Sequence, residues 1–194
     1  MELIPTMEPS DNLLSANLTS AKTTSADLRL RAYGIAAAVF ALDRLTKWLI
    51  ETRVSLTDTY NVIPGFFDIV RSENRGVAFG IFNDGTSEWR SILLVALSLA
   101  AVLGVGLALR KANQMDGVSV WAFSLILGGA AGNVFDRIIH GRVTDFLELY
   151  AGEYHWPTFN VADSAIVIAS GLLLIDLLRP WLVERKKRKA VNVP

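Results

Sequence analysis

The chain has 194 residues, 52% of them hydrophobic, with a mean hydropathy of +0.36, 20% charged residues and a net charge of zero. It has no cysteine, which excludes disulfides, thiolate nucleophiles and cysteine metal sites. Two histidines are too few for a zinc site built on several imidazoles.

Residues 1–28 are rich in Ser, Thr and Asn and lack an apolar core, so they are not a secretory signal peptide. They read as a flexible cytoplasmic extension. Four long apolar runs follow, at about 31–50, 91–109, 118–139 and 162–182. At about 1.5 Å rise per residue each spans a hydrocarbon core of about 30 Å. A soluble four-helix bundle would need a polar face on every helix, and the 91–109 run lacks one. Trp48, Trp89, Trp121, Trp156 and Trp181 fall near the predicted span ends, where indole favours the headgroup level. The expected fold is an all-α polytopic membrane domain over 29–183, followed by a basic tail at 184–194.

The first run contains Asp43, Thr46 and Lys47. Asp43 and Lys47 are four residues apart on one helical face, so an ion pair can lessen the cost of burying them. A purely structural pair is the alternative reading. The loop 51–88 contains TYNVIPGFFDIV, with a Pro64-Gly65 turn, and then GVAFGIF. This alternation predicts a small antiparallel sheet. The third run ends in Asn133, Asp136 and Arg137. Asp145 follows, and the amphipathic stretch FLELYAGEYHW after it predicts a short interfacial helix. Asn160 and Asp163 open the fourth run, where an asparagine cap and an acid in the first turn are both favoured.

Lys and Arg sort the loops. Arg185, Lys186, Lys187, Arg188 and Lys189 mark the tail, Arg110 and Lys111 the second connection, and Lys22, Arg29 and Arg31 the segment before the first span. The loop 51–88 sets three arginines against six acids, and 140–161 has Arg142 alone. The positive-inside rule then puts both termini in the cytoplasm and the long loops outside. Nearly all the intramembrane polar residues fall at one depth near the outer face. A conduction path would need them through the full thickness, so a one-sided site is expected. Two carboxylates at such a boundary share a proton. One can then activate a water and the other protonate a leaving amine. Position alone does not choose between Asp136 and Asp145 as the partner of Asp163.

Five short motifs occur in order: Asp43, Thr46 and Lys47; Asn74, Gly76, Ala78 and Phe79; Gly132, Asn133, Asp136 and Arg137; Val143, Asp145 and Phe146; and Phe159, Asn160, Ala162 and Asp163. Through them the chain resembles the lipoprotein signal peptidases (signal peptidase II), membrane aspartic proteases of bacteria, over roughly 31–180. The resemblance implies that Asp145 and Asp163 are the catalytic pair. It implies that Asp136, Asn133, Arg137 and Asn160 support them, and that Asn74 and Gly76 lie on an extracytoplasmic sheet covering the substrate. The implied reaction is hydrolysis of a prolipoprotein just before a diacylglyceryl-modified cysteine, at the outer face of the inner membrane. The expected partners are that substrate and membrane lipids. No metal, cofactor or nucleic acid is expected, and the enzyme is expected to act as a monomer.

Two other enzyme classes fit less well. Ser164 and Lys47 suggest a serine–lysine protease, but nothing in the sequence brings them together. His140 and His155 lack metal-binding spacing. A proton-coupled transporter should show internal repeats and broken helices, and neither is evident.

Overall fold

The computed structural model describes residues 9–75 and 88–191. It contains four helices, α1 (Pro9–Arg53), α2 (Glu88–Leu109), α3 (Gly117–His140) and α4 (Val161–Val191). A single 3-10 turn (Ala112–Gln114) and four strands, β1 (Thr59–Ile63), β2 (Phe67–Asn74), β3 (Val143–Ala151) and β4 (Tyr154–His155), complete the described elements. The backbone of α1 is helical from Pro9, so it takes in most of the stretch read as a flexible extension. By length and composition, α3 and the Val161–Arg179 part of α4 are long and apolar enough to cross a membrane. In α2 the described apolar run is shorter, Val95–Leu109. The apolar run of α1 is interrupted by Asp43, Arg44 and Lys47.

The helices pack through small residues. Ala32, Ala36, Ala130, Ala162, Ala165 and Ala169 are buried, whereas Leu45, Leu97, Leu103, Leu174 and Leu177 are exposed. A water-soluble bundle would do the reverse. Large apolar side chains facing outward, with close contact through glycine and alanine, are how helices associate in lipid. All four tryptophans with described side chains, Trp48, Trp121, Trp156 and Trp181, are about half exposed.

Helix α3 is the hub and packs against the other three helices. Its Gly128 meets α1, where a Cβ would lie 2.5 Å from the Ala36 carbonyl oxygen and 2.7 Å from Val39 Cβ. The adjacent Gly129 meets α4, with a Cβ position 2.5 Å from the Ala162 carbonyl oxygen. Backbone cannot yield as a flexible side chain does. Gly129→Ala is therefore expected to cost about 1–3 kcal/mol of stability. Gly171, with open space at its Cβ, should accept alanine within about 0.5 kcal/mol. Unfolding of the two variants in detergent tests the difference. The ends of α3 are capped by Asp116, which accepts from the Ser119 amide, and by left-handed Gly141 at φ 67°.

The sheet is antiparallel in the order β1-β2-β3-β4. The expected hairpin is present, with β1 and β2 joined across Gly65 at φ 81°. The segment GVAFGIF lies outside the described residues. The interfacial helix expected over 146–156 is not formed. That stretch is β3 and β4, turning at Gly152 (φ 59°). The apolar positions of FLELYAGEYHW fit either period, and β2 decides between them. Its free edge needs hydrogen-bond partners, and β3 supplies them through pairs such as Phe67↔Leu149 and Asp68↔Glu148.

Candidate active site

Helix α1 puts Asp43, Arg44 and Lys47 against α3. The Lys47 ammonium donates to Asp43 Oδ2 at 2.8 Å and to Asn133 Oδ1 at 3.1 Å, and forms an ion pair with Asp136 Oδ2 at 2.6 Å. Lys47 and Asp43 are fully buried and Asp136 is 1% exposed. Arg44 closes the other side of Asp136 through an ion pair, while its guanidinium sits 4.9 Å from the centre of the Phe135 ring. Gly132 makes room for this cluster, since a Cβ there would collide with the Asp43 carboxylate. Thr46 does not join it; its hydroxyl donates back to the carbonyls of Leu42 and Asp43.

The cluster also organises the start of α4. Asp43 Oδ1 accepts from the Ala162 amide at 3.0 Å, the kind of anion contact a helix N-terminus favours. Asn160 caps the same helix: its Oδ1 accepts from the Asp163 amide at 3.0 Å, and Asp163 Oδ2 accepts from the Asn160 amide at 3.2 Å. This reciprocal arrangement is a capping box. It holds the Asp163 carboxylate at the mouth of the helix packing, half-buried.

Asp145 arrives from the sheet. Ile69 pairs with Leu147 and Ser72 with Asp145, so β2 carries one more residue than β3 between these pairs. A bulge of this kind bends the strand and re-aims its neighbours, and here it adjoins Asp145. The carboxylate is 2% exposed. Its Oδ1 accepts from Asn160 Nδ2 at 2.7 Å and its Oδ2 from Asn74 Nδ2 at 3.1 Å. Asn133 Nδ2 donates to Asp163 Oδ1 at 2.8 Å, and Asn160 Nδ2 lies 3.4 Å from Asn133 Oδ1. Asn133 and Asn160 therefore tie the two carboxylates together. Asn160 serves as both cap and tether, so its helix-capping role does not exclude a place in the site. Arg137 donates to the Asn133 carbonyl at 3.2 Å and lies within electrostatic reach of Asp163, Asp145 and Asp136.

The fold around this constellation is shared with solved structures. One is a bacterial membrane enzyme determined by the in meso method at 2.3 Å resolution, with TM-score 0.68 and 32% identity over 77% of this chain and 88% of that one. Another, determined by the same method at 1.9 Å, has TM-score 0.67 and 29% identity over 76% and 92% of the two chains. The family model for signal peptidase (SPase) II matches residues 35–179. The chain belongs to the signal peptidase II family. A lipoprotein signal peptidase of Solibacter usitatus is 66% identical over 86% of this chain and 98% of its own length. One of Nitratidesulfovibrio vulgaris is 43% identical over 80% and 94%.

Asp43, Lys47, Asn74, Asn133, Asp136, Arg137, Asp145, Asn160 and Asp163, the residues singled out by the five short motifs, thus meet at the junction of helices and sheet. Gly76 lies outside the described residues. The sequence reading missed Arg44, which stands between motif positions. Its i,i+3 relation to Lys47 was the available signal, but an arginine near the end of a predicted span reads as snorkelling. No group of histidines and carboxylates capable of holding a metal occurs among the described residues.

Burial pushes the Asp145 carboxyl up to about 6. The nearby Asp163 carboxylate adds to this, while the amides of Asn74 and Asn160 and the Lys47 charge oppose it. The balance of charge agrees. Four carboxylates (Asp43, Asp136, Asp145 and Asp163) face three cations (Arg44, Lys47 and Arg137), so one proton makes the constellation neutral.

Proposed function

We propose that this chain is a membrane aspartic endopeptidase that removes the signal peptide from prolipoproteins, cleaving before the diacylglyceryl-modified cysteine. The observation that carries the reading is the shared tethering of Asp145 and Asp163 by Asn133 and Asn160. In the proposed reaction the Asp163 carboxylate takes a proton from water as the water oxygen attacks the scissile carbonyl carbon. Asp145, carrying its proton, gives it to the carbonyl oxygen. The tetrahedral adduct collapses, the C–N bond breaks, and the proton on Asp163 passes to the departing cysteine nitrogen. Asp145 recovers its proton from the adduct hydroxyl. General acid–base transfer of this kind contributes about 10²–10⁴-fold to rate. Asp43, Lys47, Asp136 and Arg44 hold the helices against which the pair is seated, and Arg137 stabilises negative charge beside it.

All four helices cross the membrane in this reading. The 22 residues of α2 reach about 33 Å at 1.5 Å rise each, and the charges of α1 are neutralised inside the packing. Both termini are cytoplasmic, the pair lies near the extracytoplasmic face of the bacterial inner membrane, and the enzyme works as a monomer without metal or cofactor. A site at that depth lets the signal helix and the diacylglyceryl chains remain in lipid while the peptide bond reaches the carboxylates.

The test is cleavage of a purified diacylglyceryl prolipoprotein, followed as release of the signal peptide on a gel. No cleavage by the intact protein, or cleavage abolished by a chelator, would overturn the assignment. The pH dependence adds a second expectation. Asp145 must be protonated, so kcat/KM falls as pH rises through about 6. Bound lipid-linked substrate further desolvates Asp145, so the corresponding limb in kcat lies at higher pH than in kcat/KM. A kcat/KM that rises through this window contradicts the acid role of Asp145.

A further inference from the structure

Asp145 and Asp163 approach each other from different bodies, one on β3 of the sheet and the other on α4. The seating of sheet against helices therefore sets their separation. One attachment is local to β3 and α4: Phe146 and Leu147 amides donate to the Phe159 carbonyl at 2.9 and 2.8 Å, just before α4 begins. A second lies at the C-terminal end of α1. Arg71 of β2 donates through NH1 to the carbonyls of Glu51 (3.0 Å) and Val54 (3.4 Å), where α1 has unpaired acceptors and its negative dipole end. Its NH2 lies 3.2 Å from Glu73 Oε1, and Glu73 Oε2 lies 3.2 Å from Arg142 Nε. On β3, buried Thr144 donates to Glu51 Oε1 at 2.6 Å. Glu73↔Thr144 is the rung beside Ser72↔Asp145, so the attachment acts one residue from the carboxylate.

We propose that Arg71 is a positioning residue, which sets the separation of Asp145 from Asp163 by clamping β2 and β3 onto the end of α1. This rests on Asp145 and Asp163 being the reacting pair. The planar guanidinium suits the role because it bridges two carbonyls and a carboxylate at once, which a single ammonium does less well. Its described hydrogen bonds go to Glu51, Val54 and Glu73, so its effect on chemistry reaches Asp145 through the strand.

The groups facing Asp145 are Asp163 from α4, Arg137 from α3 and Lys47 from α1, with the neutral amides of Asn74 and Asn160. If the clamp loosens, Asp163 withdraws and water reaches Asp145. Both changes lower its pKa. In Arg71→Ala protein, kcat is expected to fall about 10- to 100-fold, the loss that a misplacement of about 1 Å produces. The alkaline limb of kcat/KM is expected to move to lower pH, and Arg71→Lys to recover part of the rate. A merely destabilising effect would lower activity without moving the limb.

A kcat within twofold of wild type, or a fall with an unmoved limb, overturns the clamp. Where Arg71→Ala does not accumulate, Thr144→Val removes the other half of the attachment and is read by the same criterion. Asp145→Asn is assayed in parallel. If it is inactive while Arg71→Ala is fully active, the pair stands and the clamp fails; if it cleaves fully, the pair fails and the clamp with it.

Discussion

Asp163→Asn and Asp145→Asn proteins are each expected to lose about 10²–10⁴-fold in kcat, with little change in folding. Asparagine keeps the size of the side chain and can still accept through its amide oxygen, so the tethers from Asn133 and Asn160 survive in part. What is lost at position 163 is the base that takes the proton of water, and at position 145 the acid that gives one to the carbonyl. Because the two act as a unit, the double variant should be little slower than either single one. Release of the signal peptide from a diacylglyceryl prolipoprotein, measured on detergent-solubilised protein with an unchanged melting curve, is the check. Full activity in either variant removes that residue from the chemistry.

Lys47→Met is expected to have the largest effect on stability. Lys47 is fully buried and is the common partner of Asp43, Asp136 and Asn133. Its removal leaves Asp43 buried without its cation and Asp136 with Arg44 alone. Deleting one partner of a buried pair costs about 3–5 kcal/mol, chiefly because the stranded charge remains desolvated. Asp43 also holds the Ala162 amide, so the damage should extend to the start of α4 and lower activity as well. Lys111→Met, at an exposed position, should stay within about 0.5 kcal/mol. Reversible unfolding of both variants in mixed micelles compares them. A Lys47→Met cost below about 1 kcal/mol would show that the cluster contributes little net stability.

Much of this site was legible because its residue types contradict their surroundings. Aspartate, asparagine and lysine inside apolar helices stand out in a sequence, and their positions near predicted span ends put them at one depth. Capping at Asn160 and Asp163 and the Asp43–Lys47 pair were readable for the same reason: both depend on spacings of three and four residues along one helix. The choice of Asp145 over Asp136 was different. It came from resemblance, because both acids lie within five residues of the end of α3, one before it and one after.

Amino-acid sequence by itself determined the apolar helices, their polar interruptions, the hairpin around Gly65 and membership of the signal peptidase II family. The tethering of Asp145 to Asp163 through Asn133 and Asn160, a pairing that the resemblance implied, has its physical reason only in the tertiary structure. Asp136 turns toward α1 and is neutralised by Lys47 and Arg44, whereas Asp145 is brought back by a strand. That strand was misread as an interfacial helix because its apolar pattern fits both periods, and only the open edge of β2 selects one. Arg44 and Arg71 were hidden for the same physical reason. Arg44 pairs with a carboxylate of α3 and Arg71 with carbonyls at the end of α1, and a sequence does not show which elements touch.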